Sequence, residues 1–84
     1  MLTYEQAKSV AISKTIPDGG VYCSGDAGAF YYFVIVKKEY QNLPDLMTGS
    51  TYTAVDKSNG RVWIVSVTDL RLKGAKKIEG PKKG

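Results

Sequence analysis

Two segments of this chain are apolar on both faces. Phe30 to Val36 reads Phe-Tyr-Tyr-Phe-Val-Ile-Val and Arg61 to Val67 reads Arg-Val-Trp-Ile-Val-Ser-Val. A strand with one wet face alternates apolar and polar side chains with a period of two, so neither segment fits that pattern and both predict strands that need cover on two sides. Upstream the spacing is helical. Thr3 and Gln6 stand at capping-box separation, Leu2 and Ala7 at the spacing of a hydrophobic staple, and Tyr4, Ala7, Val10, Ala11 and Lys14 fall near one side of a 3.6-residue period. A helix of about three turns is predicted from Tyr4, ended by Pro17 and Asp18-Gly19-Gly20.

Val21-Tyr22-Cys23 predicts a short strand, and Ser24-Gly25-Asp26-Ala27-Gly28 supplies turn residues leading into a long strand near residues 29–39. Pro44 and the polar run from Gln41 to Ser50 predict a loop, with Leu43, Leu46 and Met47 available to tuck it against a sheet edge. Thr51 to Val55 and Val62 to Val67 flank Asp56-Lys57-Ser58-Asn59-Gly60-Arg61, whose Asn-Gly pair predicts a hairpin. The fold class is therefore α+β, with one N-terminal helix packed on a four-stranded, mainly antiparallel sheet built from two hairpins. One helix shields one side of such a sheet. The other side is expected to meet a second chain, either a protein partner or a second copy in a homodimer.

At 84 residues the chain makes one small domain, and its mix of 43 % hydrophobic and 24 % charged residues is that of an ordinary globular protein. The net charge of +4 changes meaning when it is divided along the chain. Residues 1–70 carry six Lys or Arg against seven Asp or Glu, whereas residues 71–84 carry Arg71, Lys73, Lys76, Lys77, Lys82 and Lys83 against Glu79 alone. Residues 1–70 are read as the folded domain and 71–84 as a basic, flexible tail, because this segment has few apolar residues to bury. The single cysteine, Cys23, forms no internal disulfide, which suits a reducing cytoplasm. No signal-peptide pattern opens the sequence and no apolar run approaches the ~20 residues that span a bilayer, so neither export nor a membrane is expected.

Little in the sequence announces catalysis. Histidine is absent, which removes the commonest general base and metal ligand. Cys23 lies in a predicted strand with no histidine to activate it and reads as a structural thiol. A calcium loop starting at Asp56 would place Val67 where a chelating Glu is required, and Gly25-Asp26-Ala27-Gly28 lacks the helix and lysine of a phosphate cradle. Asp18, Asp26, Asp45 and Asp56 all occupy predicted turns. No cofactor, metal site or enzymatic activity is expected.

The long aromatic strand divides into Phe30, Tyr32, Val34 and Val36 on one face and Tyr31, Phe33 and Ile35 on the other. An uncovered set would be a docking surface, with Tyr and Trp as rigid amphipathic anchors. Phe30, Tyr32, Val34, Val36 and Trp63 are thus the candidate partner-binding residues, with Lys73, Lys76, Lys77, Lys82 and Lys83 as candidate electrostatic contacts. A reading from another class joins Tyr32, Trp63 and the tail lysines into a single-strand nucleic-acid platform. The slight negative balance of residues 1–70 argues against it, since an electrostatic footprint belongs on the sheet itself.

Met1-Leu2-Thr3-Tyr4 with Ala7, the aromatic strand closing on Glu39-Tyr40, and Gly49 followed by Val55-Asp56-Lys57-x-x-Gly60-x-Val62 together resemble the YrhB-like immunity proteins of bacterial polymorphic-toxin systems, over most of residues 1–68. PepSY-like modules carry a similar turn. The resemblance implies a compact cytoplasmic α+β protein that binds and neutralises a toxin, with a chaperone-like role also associated with the group. It also implies that Tyr31, Phe33 and Ile35 are core and that Phe30, Tyr32, Val34 and Val36 point outward. The chain departs from the family at Gly49-Ser50-Thr51-Tyr52, where Gly-Asn-x-Pro is usual, and in its basic C-terminal segment. An immunity or inhibitor protein is the expected function, and a phage-type anti-defence inhibitor would suit the same compact, motif-poor chain.

Overall fold

The helix forms where the capping signals place it. In the computed structural model, which describes residues 1–40 and 51–80, α1 spans Tyr4–Lys14. The Thr3 hydroxyl accepts from the Gln6 N–H at 3.2 Å and the Gln6 side chain accepts from the Thr3 N–H at 2.9 Å, which satisfies two otherwise orphaned donors. The helix closes when Thr15 turns its hydroxyl back onto the Ala11 carbonyl. Five strands follow, β1 (Gly19–Asp26), β2 (Phe30–Lys37), β3 (Thr51–Asp56), β4 (Val62–Ser66) and β5 (Lys76–Glu79), with short 3-10 turns at Lys38–Tyr40 and Leu70–Leu72. They form one sheet in the order β4-β3-β2-β1-β5, each neighbouring pair antiparallel.

The α+β class and the helix-on-sheet arrangement are as expected, but the sheet has five strands rather than four. β1 runs further at both ends than the Val21–Cys23 core suggests, so Gly19-Gly20 and Ser24 to Asp26 belong to a strand rather than to turns. The reason lies across the sheet. Tyr32 lays its ring over the Gly25 backbone, where a Cβ would collide with it, so glycine here makes room for an aromatic neighbour. A bulge between Val21 and Cys23 then sends these two side chains to opposite faces, Val21 opposite Ile35 and Cys23 opposite Val34. The Asn59-Gly60 hairpin turns through four residues, with the Asp56 N–H donating to the Arg61 carbonyl and the Gly60 N–H to the Asp56 carbonyl. Gly60 alone takes the left-handed conformation there, at φ 74°.

The helix presents Ala7 and Ala11 to the sheet, and these small side chains let it approach Phe33, Val21 and Val55 closely. Tyr31, Ile35 and Val62 pack around that core. Tyr31, Phe33 and Ile35 therefore do lie beneath the helix.

The opposite face differs from expectation. The chain leaves β4 at one edge and must reach β5 at the other, so residues 67–75 pass across the face away from the helix. Leu72 packs there onto a second core of Phe30, Ala54 and Val65. Arg71 lies over the Phe30 and Trp63 rings, at 5.5 and 5.9 Å from their centroids, while its guanidinium grips Asp69. Residues 71–80 are thus not a flexible tail; they supply a second lid and a fifth strand. Lys82 and Lys83, and the excursion from Gln41 to Ser50 with Leu43, Leu46 and Met47, lie outside the described residues.

Candidate functional site

The five candidate partner-binding residues share the face away from the helix, but the structure divides them. Phe30 and Val34 are buried, at 2 % and 6 % exposure, and cannot contact a partner as the fold stands. Phe30 is enclosed by Trp63, whose ring meets it edge-on at 5.1 Å, and by Arg71. Tyr32, Val36 and Trp63 are half-buried. Tyr32 leans on Tyr52, with centroids 4.7 Å apart, and Cys23 lies beside them. Burial pushes the Cys23 thiol up, with Lys77 pulling weakly the other way, so the sulfur stays protonated and is a poor nucleophile. Burial likewise raises both tyrosine hydroxyls.

Of the exposed large apolar side chains among the described residues, Met1, Tyr40 and Ile78 are scattered, whereas Ile64, Val67 and Leu70 lie together in sequence at and after β4, which forms one outer edge of the sheet. Hydrogen bonding between Asp56 and Arg61 fixes the ladder phase. Ala54–Trp63 and Tyr52–Val65 are then the hydrogen-bonded pairs, and Val62, Ile64 and Ser66 turn their backbone N–H and C=O groups outward. Ser66 returns its carbonyl to the Asp69 N–H at 3.0 Å. Among the described residues no strand pairs with the outer side of Val62 and Ile64. Ile64 points to the helix side but stands beyond the helix, 63 % exposed, and Leu70 in the following turn is 85 % exposed. Sequence reasoning missed both. A strand that is apolar throughout hides which of its residues sits at the sheet margin.

Of the candidate lysines, Lys76 and Lys77 lie on the opposite edge, and Lys73 in the segment that leads to it. β5 carries Lys76 and Lys77, which alternate between the two faces, and its far end is tied to the helix. Tyr4 donates its hydroxyl proton to Glu79, the buried Ser24 hydroxyl lies 2.6 Å from the Tyr4 oxygen, and Lys8 reaches Glu79 at 3.3 Å. Burial and the Glu79 hydrogen bond together raise the Tyr4 hydroxyl well above its usual range.

Two clefts open at the end of the sheet where the hairpins turn. One, of about 360 Å³, is lined by Asp56, Asn59, Arg61, Trp63 and Arg71. The other, of about 330 Å³, lies between the β1–β2 turn and residues 73–76, and brings Lys57, Lys73 and Lys76 around Asp26 and Gly28. The Lys57 ammonium donates to Asp26 at 2.7 Å and sits over the Tyr31 ring at 4.5 Å. That ammonium and the Gly28 N–H hold the Asp26 carboxyl below the usual carboxylate range. Among the described residues no three His, Cys, Asp or Glu side chains gather in a way that would hold a metal ion, and no helix is long and apolar enough to cross a membrane.

No family model, no curated protein and no solved structure matches this chain, so the likeness to the YrhB-like immunity proteins rests on the residues quoted above alone.

Proposed function

We propose that this chain is a non-enzymatic protein-binding module of immunity or inhibitor type, which occludes a toxin or effector in the cytoplasm by adding a strand of that protein to the outer edge of β4. The observation that carries the reading is the contrast between an open hydrogen-bonding edge at Val62 and Ile64 and a sequence with no charge or proline from Val62 to Ser66. Such an edge invites another strand, and natural proteins usually guard one with lysine, proline or a bulge. Ile64 and Leu70 supply exposed apolar contacts beside it.

Without its target the same edge accepts a second copy. A two-fold axis at Ile64 opposes Ile64 to Ile64 and Val62 to Ser66, which are the residues whose backbone groups face outward, so an antiparallel pair forms in phase.

The test is retention of host proteins on the immobilised chain at high salt. The wild type should hold one protein that Ile64→Lys releases, while Lys77→Gln on the other edge keeps it. Equal retention by the wild type and Ile64→Lys, or no retention by either, would end this reading.

A further inference from the structure

We infer that the cleft formed by Lys57, Lys73 and Lys76 is a binding site for a multiply charged phosphate group, such as a nucleotide or a nucleic-acid strand carries. The site goes beyond the proposed function and does not use β4. Three separate segments build it: the β1–β2 turn, the residue that follows β3, and the return from the crossing segment into β5. Each brings a part that the sequence alone keeps far apart.

The charge in the cleft is only partly spent. Among the described residues Asp26 is its sole carboxylate and is already engaged by Lys57 and by the Gly28 N–H. Lys73 and Lys76 have no carboxylate within ion-pair distance among the described residues, and Asp26 reaches Lys76 only through its longer-range field. Among the described residues these two lysines thus line a shared space whose one carboxylate is already paired with Lys57. Their rim is open, because Gly28 and Gly74 line it without side chains and nothing stands within 4 Å of where a Cβ would be. Lys57 completes the site as a fixed positive wall, since its side chain is 14 % exposed and is held on the Tyr31 ring.

A compact multivalent anion suits this arrangement better than an acidic peptide. Lysine is a strongly hydrated point charge that binds phosphate without needing planar, bidentate geometry. The cleft is also far smaller than an extended peptide and offers three ammonium groups over its short span. The tail charge that the sequence assigns to a free end is thereby carried back to the body of the fold, where a phosphate-binding footprint is required.

Calorimetric titration of the full chain with inorganic tripolyphosphate at low ionic strength tests the site. One anion should bind per chain, and Lys73→Gln and Lys76→Gln should each weaken it by about tenfold, the order expected for one charge-assisted contact. Lys77→Gln, the same charge change on the other face of β5, should alter affinity less than about twofold. Asp26→Asn should tighten binding by releasing Lys57, whereas Asp18→Asn at the far end of β1 should leave it unchanged. Competition with ATP and with a short oligothymidylate identifies the source of the phosphate, and displacement by either supports the site. Absence of tripolyphosphate binding, an equal loss in Lys77→Gln, or binding of polyglutamate in place of tripolyphosphate would overturn the inference. These outcomes leave the β4 reading standing, because none of the variants touches that edge.

Discussion

The two edges of this sheet are finished in opposite ways. β5 is four residues long, carries lysine on both faces and is fastened to the helix through Glu79, Tyr4, Ser24 and Lys8. β4 is uncharged, and beyond its own hairpin it is held by packing of Trp63 and Val65 into the second core. Paired lysines make strand addition at β5 unfavourable, because an incoming backbone would have to desolvate or displace them. Among the described residues nothing comparable opposes addition at β4. The difference separates an edge made to end the sheet from an edge able to extend it, although both are short strands of one domain.

The shared middle of the sheet sets the largest expected effect. Phe33 on β2 is fully buried beneath the helix, stacked on Tyr4 at 5.6 Å. Phe33→Ala should destabilise the domain by about 3–5 kcal/mol, measured by urea denaturation, and should loosen both edges together. A loss confined to one edge in hydrogen exchange would show that the two halves of the sheet are not one cooperative unit.

The fastening of β5 comes next. Tyr4→Phe removes the one hydroxyl partner that the described residues give the buried Ser24 side chain, and leaving such a group unsatisfied costs about 1–3 kcal/mol. Tyr4→Phe combined with Ser24→Ala should recover much of the loss, since both polar partners are then gone. Amides of β5 should exchange faster in the single variant while those of β4 hold. The fastening also has an alkaline signature. Because the folded Tyr4 hydroxyl titrates above its ordinary value near 10, its contribution is complete below pH ~10 and is lost as pH rises beyond it, so Tyr4→Phe should flatten the alkaline limb of stability.

The edges themselves can be exchanged. In sedimentation, wild-type chain should associate with rising concentration and Ile64→Lys should stay monomeric, with stability changed by no more than about 0.5 kcal/mol because Ile64 is mostly exposed. Adding Lys76→Ile and Lys77→Ile to Ile64→Lys should restore association through the newly unguarded β5. A wild type that is monomeric at all concentrations would remove the second-copy pairing.

Much of the fold was legible in the sequence, whereas the contrast between its edges was hidden for definable reasons. The capping box at Thr3 and Gln6, the Asn59-Gly60 hairpin and the division of Phe30 to Val36 into two faces all follow from local spacing, because each is decided within a few residues. The second lid was not legible. Arg71 and Leu72 sit in a segment whose composition resembles a free tail, and their value lies in packing on the rings of Trp63, across the turn after β4, and of Phe30, distant in the chain on β2, which local periodicity does not connect to them. For the same reason Phe30 and Val34 read as candidate contacts when they are core. β5 escaped notice because Lys76-Lys77-Ile78-Glu79 has a poor strand pattern; its place is dictated by Gly25 and Ser24 across the ladder and by Tyr4. Ile64 and Leu70 could have been found only from strand order, which no pattern within β4 encodes.

The smallest expected effect probes the junction of β1, β5 and the basic cleft. Asp26 titrates below its ordinary value near 3.9, so its stabilising contribution is fully present above that pH and disappears as pH falls through the folded value. At pH 6, Asp26→Asn replaces the carboxylate partner of the largely buried Lys57 ammonium by a neutral amide, leaving the face of Tyr31 beside it. At pH 3, below the ordinary carboxylate value, part of that contribution is already lost, so the two proteins should draw together. Urea denaturation at the two pH values should show a modest deficit for the variant at pH 6 that shrinks at pH 3, small because Asp26 is about one-third exposed and water screens the pair. A deficit of the same size at both would mean that the Gly28 N–H and turn geometry, rather than the charge pair, explain why aspartate stands there, and Lys57 would then be free to act on an incoming anion at any pH.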